Sequence, residues 1–291
     1  MKPILVFQTD FTYKECAVSA MYGVVKSVDR SLEIYTSTHE IPKFDIWSAS
    51  FRLLQPINFW PKGTVFISVV DPGVGTDRKA SAARTKNGYY IFTPDNGTLT
   101  HIKKYLGISE IREIDKTRNR LRGSENVPIF EGRDVFAYCA AKFASGSLTF
   151  EEIGPAYSTD KIVTIPITES RIEDRRASGI IEITDPNFGN AWTNIPTEAV
   201  FRHGFRYGKK YRVEITHLGK ILFSGLLPFL KAYGNAPAGE ALIYHNELNR
   251  IAFALNRGNF SERYQIGYGN SYQVVVSEED RTGETGQPES L

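Results

Sequence analysis

The sequence predicts an α/β protein: an N-terminal three-layer α/β domain with a mainly parallel sheet, followed by a C-terminal β-barrel-like domain. Three observations carry this. Apolar runs alternate with helix-period stretches over the first 70 residues, short strand-like runs dominate from about residue 160, and 291 residues exceed one small core. The expected boundaries are 1–158 for the first domain, 159–172 for a linker, 173–279 for the barrel-like domain and 280–291 for a disordered tail. The closing stretch EEDRTGETGQPESL holds almost nothing apolar.

Residues 3–9, PILVFQT, form a continuous apolar run, as for a strand buried on both faces. Residues 17–28, AVSAMYGVVKSV, have helical spacing; 32–37, LEIYTS, read as a strand; 45–55, DIWSASFRLLQ, read as a helix that Asp45 can cap. Thr64 to Val70 is the next strand, so the order is β-α-β-α-β, the signature of a parallel sheet with crossover helices. Asn87-Gly88 between two strand-like runs signals a hairpin. A helix is expected from about Thr98 to Leu106, a weak strand at Ile111–Ile114 and loop over 115–128. A further helix follows Asp134, its expected cap, and ends at Gly146. The second domain offers IVTIPI, ASGIIEIT, YRVEIT, GKILFSG, GEALIYH, RIAFAL and SYQVVV as strands, a spacing typical of a small barrel or sandwich.

The formal net charge of +2 gives no reason to invoke nucleic acid or an anionic membrane. No 18-residue apolar run is present, and the opening MKPILVFQTDF meets a charge at Asp10, too early for a signal peptide. Cys16 and Cys139 lack metal-ligand spacing, and a cytoplasmic chain with reduced thiols is the expectation. The five histidines form no HxH or HExxH pattern, so no metal is expected, and His39 reads as structural.

Candidate site residues gather at expected strand ends, where open α/β sheets bind ligands. Asp10 ends the first strand and can accept two ribose hydroxyls, or serve as a cap or ion-pair partner. In VVDPGVGTDR, residues 69–78, Asp71 follows a strand and Arg78 follows a Pro-Gly turn with a second glycine. The pair is either catalytic or a local ion pair worth little if exposed. The Pro94–Gly97 turn closes another strand. Glu131 lies just outside the expected cap region, where it can face a cleft, and Arg133 can pair with Asp134. Residues 185–194, DPNFGNAWTN, read as a turn with Asx hydrogen bonds, yet they place Phe188 and Trp192, large aromatics suited to a purine wall, where exposure is expected. In ALNRGN, residues 254–259, backbone groups around Asn256 can read the edge of a base.

Taken together, TDF at 9–11, THEIPKFDI at 38–46, VVDPGVGTDR at 69–78, PDNGTL at 94–99, FEGRDVFAYCAA at 130–141, ITDPNFGNAWTNI at 183–195 and ALNRGN at 254–259 resemble the S-adenosylmethionine hydroxide adenosyltransferase family, relatives of the bacterial fluorinase and chlorinase. The resemblance implies the two-domain fold above. It also implies a homotrimer holding its substrate between one subunit's N-terminal domain and a neighbour's C-terminal domain. The implied reaction is displacement at the 5′ carbon of S-adenosylmethionine by water or hydroxide, giving adenosine and L-methionine, with no cofactor. Asp10 would bind the ribose hydroxyls and Asp185 the methionine amino group, with Phe44, Phe188, Asn190 and Tyr233 around the nucleoside.

Of the family's Asp-Arg-His group around the attacking water, Asp71 and Arg78 match, and Glu131 stands where the family has His. A glutamate of ordinary pKa, about 4.3, is a weak base at neutral pH, and a raised pKa in a closed site would recover some basicity. Thr12 replaces a usual Gly, and Asn246-Glu247 replaces a Ser pair near the methionine carboxylate. Two alternatives accompany the hydrolase reading. One is a catalytically weak S-adenosylmethionine- or adenosine-binding protein. The other is a 5′-halogenase, disfavoured because Asp71 and Glu131 would repel a halide and because halogenases lack this aspartate.

Overall fold

The computed structural model describes residues 2–278, so the expected disordered tail, 280–291, lies outside the described residues. The chain divides into two compact units, Met1–Ile165 and Pro166–Leu291.

The first unit is built on a seven-stranded sheet of β1 (Leu5–Thr9), β2 (Ile34–Thr38), β3 (Val65–Val69), β4 (Ala80–Thr85), β5 (Tyr90–Pro94), β6 (Ile108–Glu113) and β7 (Ala156–Tyr157), in the order β2-β1-β3-β5-β4-β6-β7. β2, β1, β3 and β5 run parallel, while β4, β6 and β7 extend the sheet antiparallel. The switch occurs at Asn87-Gly88, where Gly88 takes φ +94° between β4 and β5. α1 (Ala17–Val28), α2 (Ile46–Ile57), α3 (Thr100–Tyr105) and α4 (Tyr138–Ser145) cover the two faces.

Alternation along the strands explains why the central runs read as continuously apolar. Leu5, Phe7, Val65, Ile67 and Val69 enter one core with Met21 and Val25 of α1 and Cys139 and Ala140 of α4. Val6 and Phe66 point the other way, into a core with Leu53, Leu54 and Ile57 of α2 and Ile102 of α3. Both faces are covered, and the buried polar pair in these strands, Gln8 and Ser68, is hydrogen-bonded at 3.0 Å. Asp45 caps α2 by accepting from Ser48 N at 2.9 Å, as expected, and Gly146 ends α4 at φ +83°. Asp134 is not a cap: a π-helical turn spans Gly132–Ala137 and holds Asp134 inside it, fully buried and paired with Arg133.

The second unit is an antiparallel barrel-like sheet of β8 (Arg171–Glu173), β9 (Arg176–Thr184), β10 (Ala191–Pro196), β11 (Lys210–His217), β12 (Lys220–Pro228), β13 (Ala241–His245), β14 (Arg250–Leu255) and β15 (Tyr272–Ser277). The order is β12-β11-β15-β9-β10-β14-β13, with β8 on β9, and a bridge between Phe229 and Ile243 brings the two edges together. α5 (Thr197–Arg202) and α6 (Phe260–Arg263) close its ends around a core that includes Tyr211, Phe229, Phe253 and Phe260.

Two sequence readings fail here. IVTIPI forms no strand: Val163 N donates to Asp95 and Ile165 N to Thr100 Oγ1, so side chains, not a ladder, satisfy this backbone. AWTNIP, read as the end of a turn, is β10, paired on both sides by β9 and β14.

Candidate active site

β3 delivers the chain to Asp71 at the carboxyl edge of the parallel strands. The turn that follows is fastened by Val74 N to Asp71 O and by Thr76 Oγ1 to Gly73 O, and Gly75 adopts φ +78°. This brings Arg78 back over Asp71. Arg78 Nε donates to Asp71 Oδ1 at 3.0 Å and Nη2 donates to Oδ2, a bidentate pair. The side chains retain only 9% and 4% exposure, so the weak, exposed ion pair that the sequence leaves open is excluded. The guanidinium also lies 5.4 Å from the centre of the Phe136 ring. Its Nη1 is buried and has no hydrogen-bond partner among the described residues.

Glu131 reaches the same guanidinium, its Oε2 accepting from Arg78 Nη2 at 2.7 Å. Gly132 packs closely here: a Cβ there would lie 3.3 Å from Val69 Cγ1 and 3.4 Å from the Phe11 ring. The 131–132 segment thus packs onto the ends of β1 and β3. Glu131 is 2% exposed, and its Oε1 accepts from Lys116 Nζ at 2.7 Å and from Arg120 Nη1 at 3.4 Å. Burial pushes its pKa up, but the Lys116 hydrogen bond and the charges of Arg78 and Lys116 outweigh it, and the net displacement is downward. The basicity that a raised pKa would recover is therefore not gained, and Glu131 is a counterion of Arg78, Lys116 and Arg120. The charge argument against a halide also weakens, since Arg78 pairs with both carboxylates and Lys116 and Arg120 pair with Glu131.

Asp10, at the end of β1, accepts from Phe44 N at 2.9 Å. Phe44 sits at φ +64° and is 67% exposed, so Asp10 holds a residue with left-handed backbone at the surface. His39 lies beneath this loop, buried, with Nδ1 bound to Thr9 Oγ1 and Nε2 to Tyr22 OH, both at 2.8 Å. Burial lowers its pKa to about 4, and its role is structural. Thr12 also has positive φ, +58°, which explains why glycine suits this place and a β-branched residue is unusual.

The Pro94–Gly97 turn serves the scaffold. Asn96 Nδ2 donates to Val70 O at 2.9 Å, and Asp95 accepts from Tyr157 OH at 2.8 Å.

In the second unit Asp185 Oδ1 accepts from Asn187 N and Phe188 N at 2.8 and 3.2 Å, the Asx turn anticipated from sequence. That turn presents Phe188 at 70% exposure. Asn190 Nδ2 donates to Tyr233 OH at 3.4 Å, and the Tyr233 ring packs 4.9 Å from that of Tyr244. Trp192 is not on an exposed turn. It lies in β10, buried, with Nε1 donating to Tyr244 OH at 2.9 Å, so it backs this aromatic group instead of facing outward. Asn256 also departs from expectation. Its backbone N–H donates to Glu240 O, its carbonyl accepts from Gly239 N, and its Nδ2 donates to Ala236 O, all within the barrel.

The structure thus joins Asp71, Arg78 and Glu131 in one cluster, and Asp185, Phe188, Asn190 and Tyr233 around one strand end of the second unit. Lys116 and Arg120, read from sequence only as loop, belong to the first cluster. The sole signal was the alternation of basic residues through Lys116, Arg118, Arg120 and Arg122.

The comparisons with known proteins agree with this partition. Residues 5–154 match the SAM hydroxide adenosyltransferase N-terminal domain, and residues 179–273 match the C-terminal domain. The chain is 32% identical over 235 residues to an (R)-S-adenosyl-L-methionine hydrolase of Methanocaldococcus jannaschii, covering 79% of this chain and 80% of that one. It is 27% identical to a fluorinase of Actinoplanes sp., covering 94% and 97%. A crystal structure of an uncharacterized conserved protein from Thermotoga maritima superposes with a TM-score of 0.86 at 30% identity, covering 94% of this chain and all of that one. With both domain models matched in order and a relative above 30% identity over most of its length, the chain belongs to the SAM hydroxide adenosyltransferase family.

Proposed function

We propose that this protein is an S-adenosylmethionine hydrolase, displacing L-methionine from the 5′ carbon with water to give adenosine. The observation that carries the reading is the buried, bidentate Asp71–Arg78 pair at the carboxyl edge of the parallel strands.

In this reaction water oxygen forms a bond to the 5′ carbon while the carbon–sulfur bond breaks, its electron pair passing to sulfur. A sulfonium leaves as a neutral thioether, so no acid is required at the leaving group. The protein's task is to hold one water in line behind the carbon. Asp71 accepts a hydrogen bond from that water and takes its proton as the bond forms. Arg78 keeps Asp71 oriented, and its unpartnered Nη1 is a donor for the water's oxygen. Glu131 fixes Arg78 and is not the base. Asp10 and Phe44 of one subunit, and Asp185, Phe188, Asn190 and Tyr233 of a neighbour, are the substrate-binding residues in this proposal, with Trp192 behind Tyr233 through Tyr244. The working form is proposed to be a homotrimer, which sedimentation equilibrium would report directly.

A second reading, 5′-halogenation, draws on the three cations around Glu131 and on the fluorinase relatives. Incubation with S-adenosylmethionine, alone and with fluoride or chloride, separates the possibilities. Adenosine in every case, lost in Asp71→Asn, is the expected result. A 5′-halo nucleoside would establish the second reading, and tight retention of S-adenosylmethionine without conversion would establish a binding protein.

A further inference from the structure

Glu131 has three cationic neighbours, and two of them come from a segment that the reaction above does not use. Lys116 and Arg120 meet Oε1, while Arg78 meets Oε2. Arg120 does more than pair. Its Nε donates to Ser124 O and its Nη2 to Val127 O, both at 3.2 Å, so one guanidinium folds residues 120–127 into a closed turn and aims its remaining donors at Glu131. The segment is fastened elsewhere by Leu121 N to Asp134 O at 2.8 Å and by Asn119 Nδ2 to Ile153 O at 2.9 Å. Arg120 is as enclosed as Arg78, each side chain at 9% exposure, whereas Lys116 keeps 34%.

Arg78 is shared by two carboxylates. Asp71 takes two of its donors and Glu131 takes part of one. If Glu131 had no other partner, its full charge would compete with Asp71 for the guanidinium. Lys116 and Arg120 draw that charge to Oε1, away from Arg78. We propose that Lys116 and Arg120 are positioning residues: by holding Glu131 they keep Arg78 bidentate on Asp71, so turnover depends on the fold of the 115–127 segment. This rests on the hydrolase reading of the Asp71–Arg78 pair. Neither residue touches substrate or the reacting atoms.

The test uses the full chain and steady-state hydrolysis of S-adenosylmethionine. Lys116→Met is expected to lower kcat roughly 10–100-fold, the scale of sub-ångström to ångström misplacement, with KM within about twofold. Its acid limb is expected to move to higher pH, because Glu131 loses the Lys116 hydrogen bond that holds it ionised. Lys116→Arg keeps the cation and should restore both. Arg120→Met is expected to do the same with a lower Tm, and Lys116→Met keeps the test decisive if that variant does not fold. A purely structural role would reduce the active fraction and leave the pH profile in place. Wild-type turnover with an unchanged kcat and acid limb in folded Lys116→Met would overturn the proposal alone. A wild-type chain that makes no adenosine would overturn the hydrolase reading and this inference with it.

Discussion

Glu131 Oε2 accepts from Arg78 Nη2 at 2.7 Å across 53 residues of sequence, and this contact decides what Glu131 does. A carboxylate already bound to three cations is a poor proton acceptor. Replacing it by the histidine usual at this place therefore does not create a base in the present surroundings. Glu131→His is expected to lower turnover, since two of the three cations lose their counterion. The double variant Lys116→Met/Glu131→His should recover part of the loss. A double-mutant cycle on kcat checks this: additive effects would show that the two positions are independent.

Arg78 serves Asp71 with two donors of fixed geometry, which a lysine ammonium cannot reproduce. Arg78→Lys is expected to reduce kcat/KM by roughly 100-fold or more while S-adenosylmethionine still binds. Comparison of kcat with a ligand dissociation constant from calorimetry separates the two effects. Equal losses in both would place Arg78 in ground-state binding.

His39 gives the fold a defined acid sensitivity. Burial lowers its folded pKa to about 4, against about 6.5 when unfolded, so the unfolded chain binds the proton more readily. Its contribution is complete above pH 6.5 and is lost as pH falls from there through 4, in total on the order of a few kcal/mol. Urea denaturation at pH 7 and pH 4.5, in wild type and His39→Gln, measures it. The variant should show a shallower decline over this window.

Phe44 combines a left-handed backbone with a surface position. Phe44→Gly removes about 1–2 kcal/mol of backbone strain and little packing, so Tm should hold or rise. Adenosine binding should weaken in the same protein if the ring faces the nucleoside. Titration calorimetry with adenosine reads that directly, and unchanged affinity would remove Phe44 from the site.

Gly189 allows Asn259 to pack against the turn that presents Phe188. A Cβ at Gly189 would fall 1.7 Å from Asn259 Oδ1, at a backbone φ of +68°. Gly189→Ala is expected to destabilise the second unit by about 2–4 kcal/mol, seen as a lower-temperature calorimetric transition.

Much of the first unit was legible because its strands are buried on both faces and its helices carry a clear stripe. Val18, Met21 and Val25 of α1 and the run from Leu5 to Thr9 needed no tertiary information. The second unit was less so. β10 is written in Asn, Thr and Trp, residues that also make turns, and only its pairing with β9 and β14 makes it a strand. IVTIPI has the composition of a strand, but its amides are taken by Asp95 and Thr100.

The site divides in the same way. Residue types and local motifs suffice for the family and for naming Asp71, Arg78 and Glu131. Tertiary structure decided their electrostatics. Lys116 and Arg120 stand 15 and 11 residues from Glu131, in a stretch whose alternating basic residues do not say that their charges converge on it. A pKa follows from the charges within a few ångströms and from the exclusion of water, and both are properties of the folded chain. The same glutamate would be a weak base in solution and is an anion held by Arg78, Lys116 and Arg120 here.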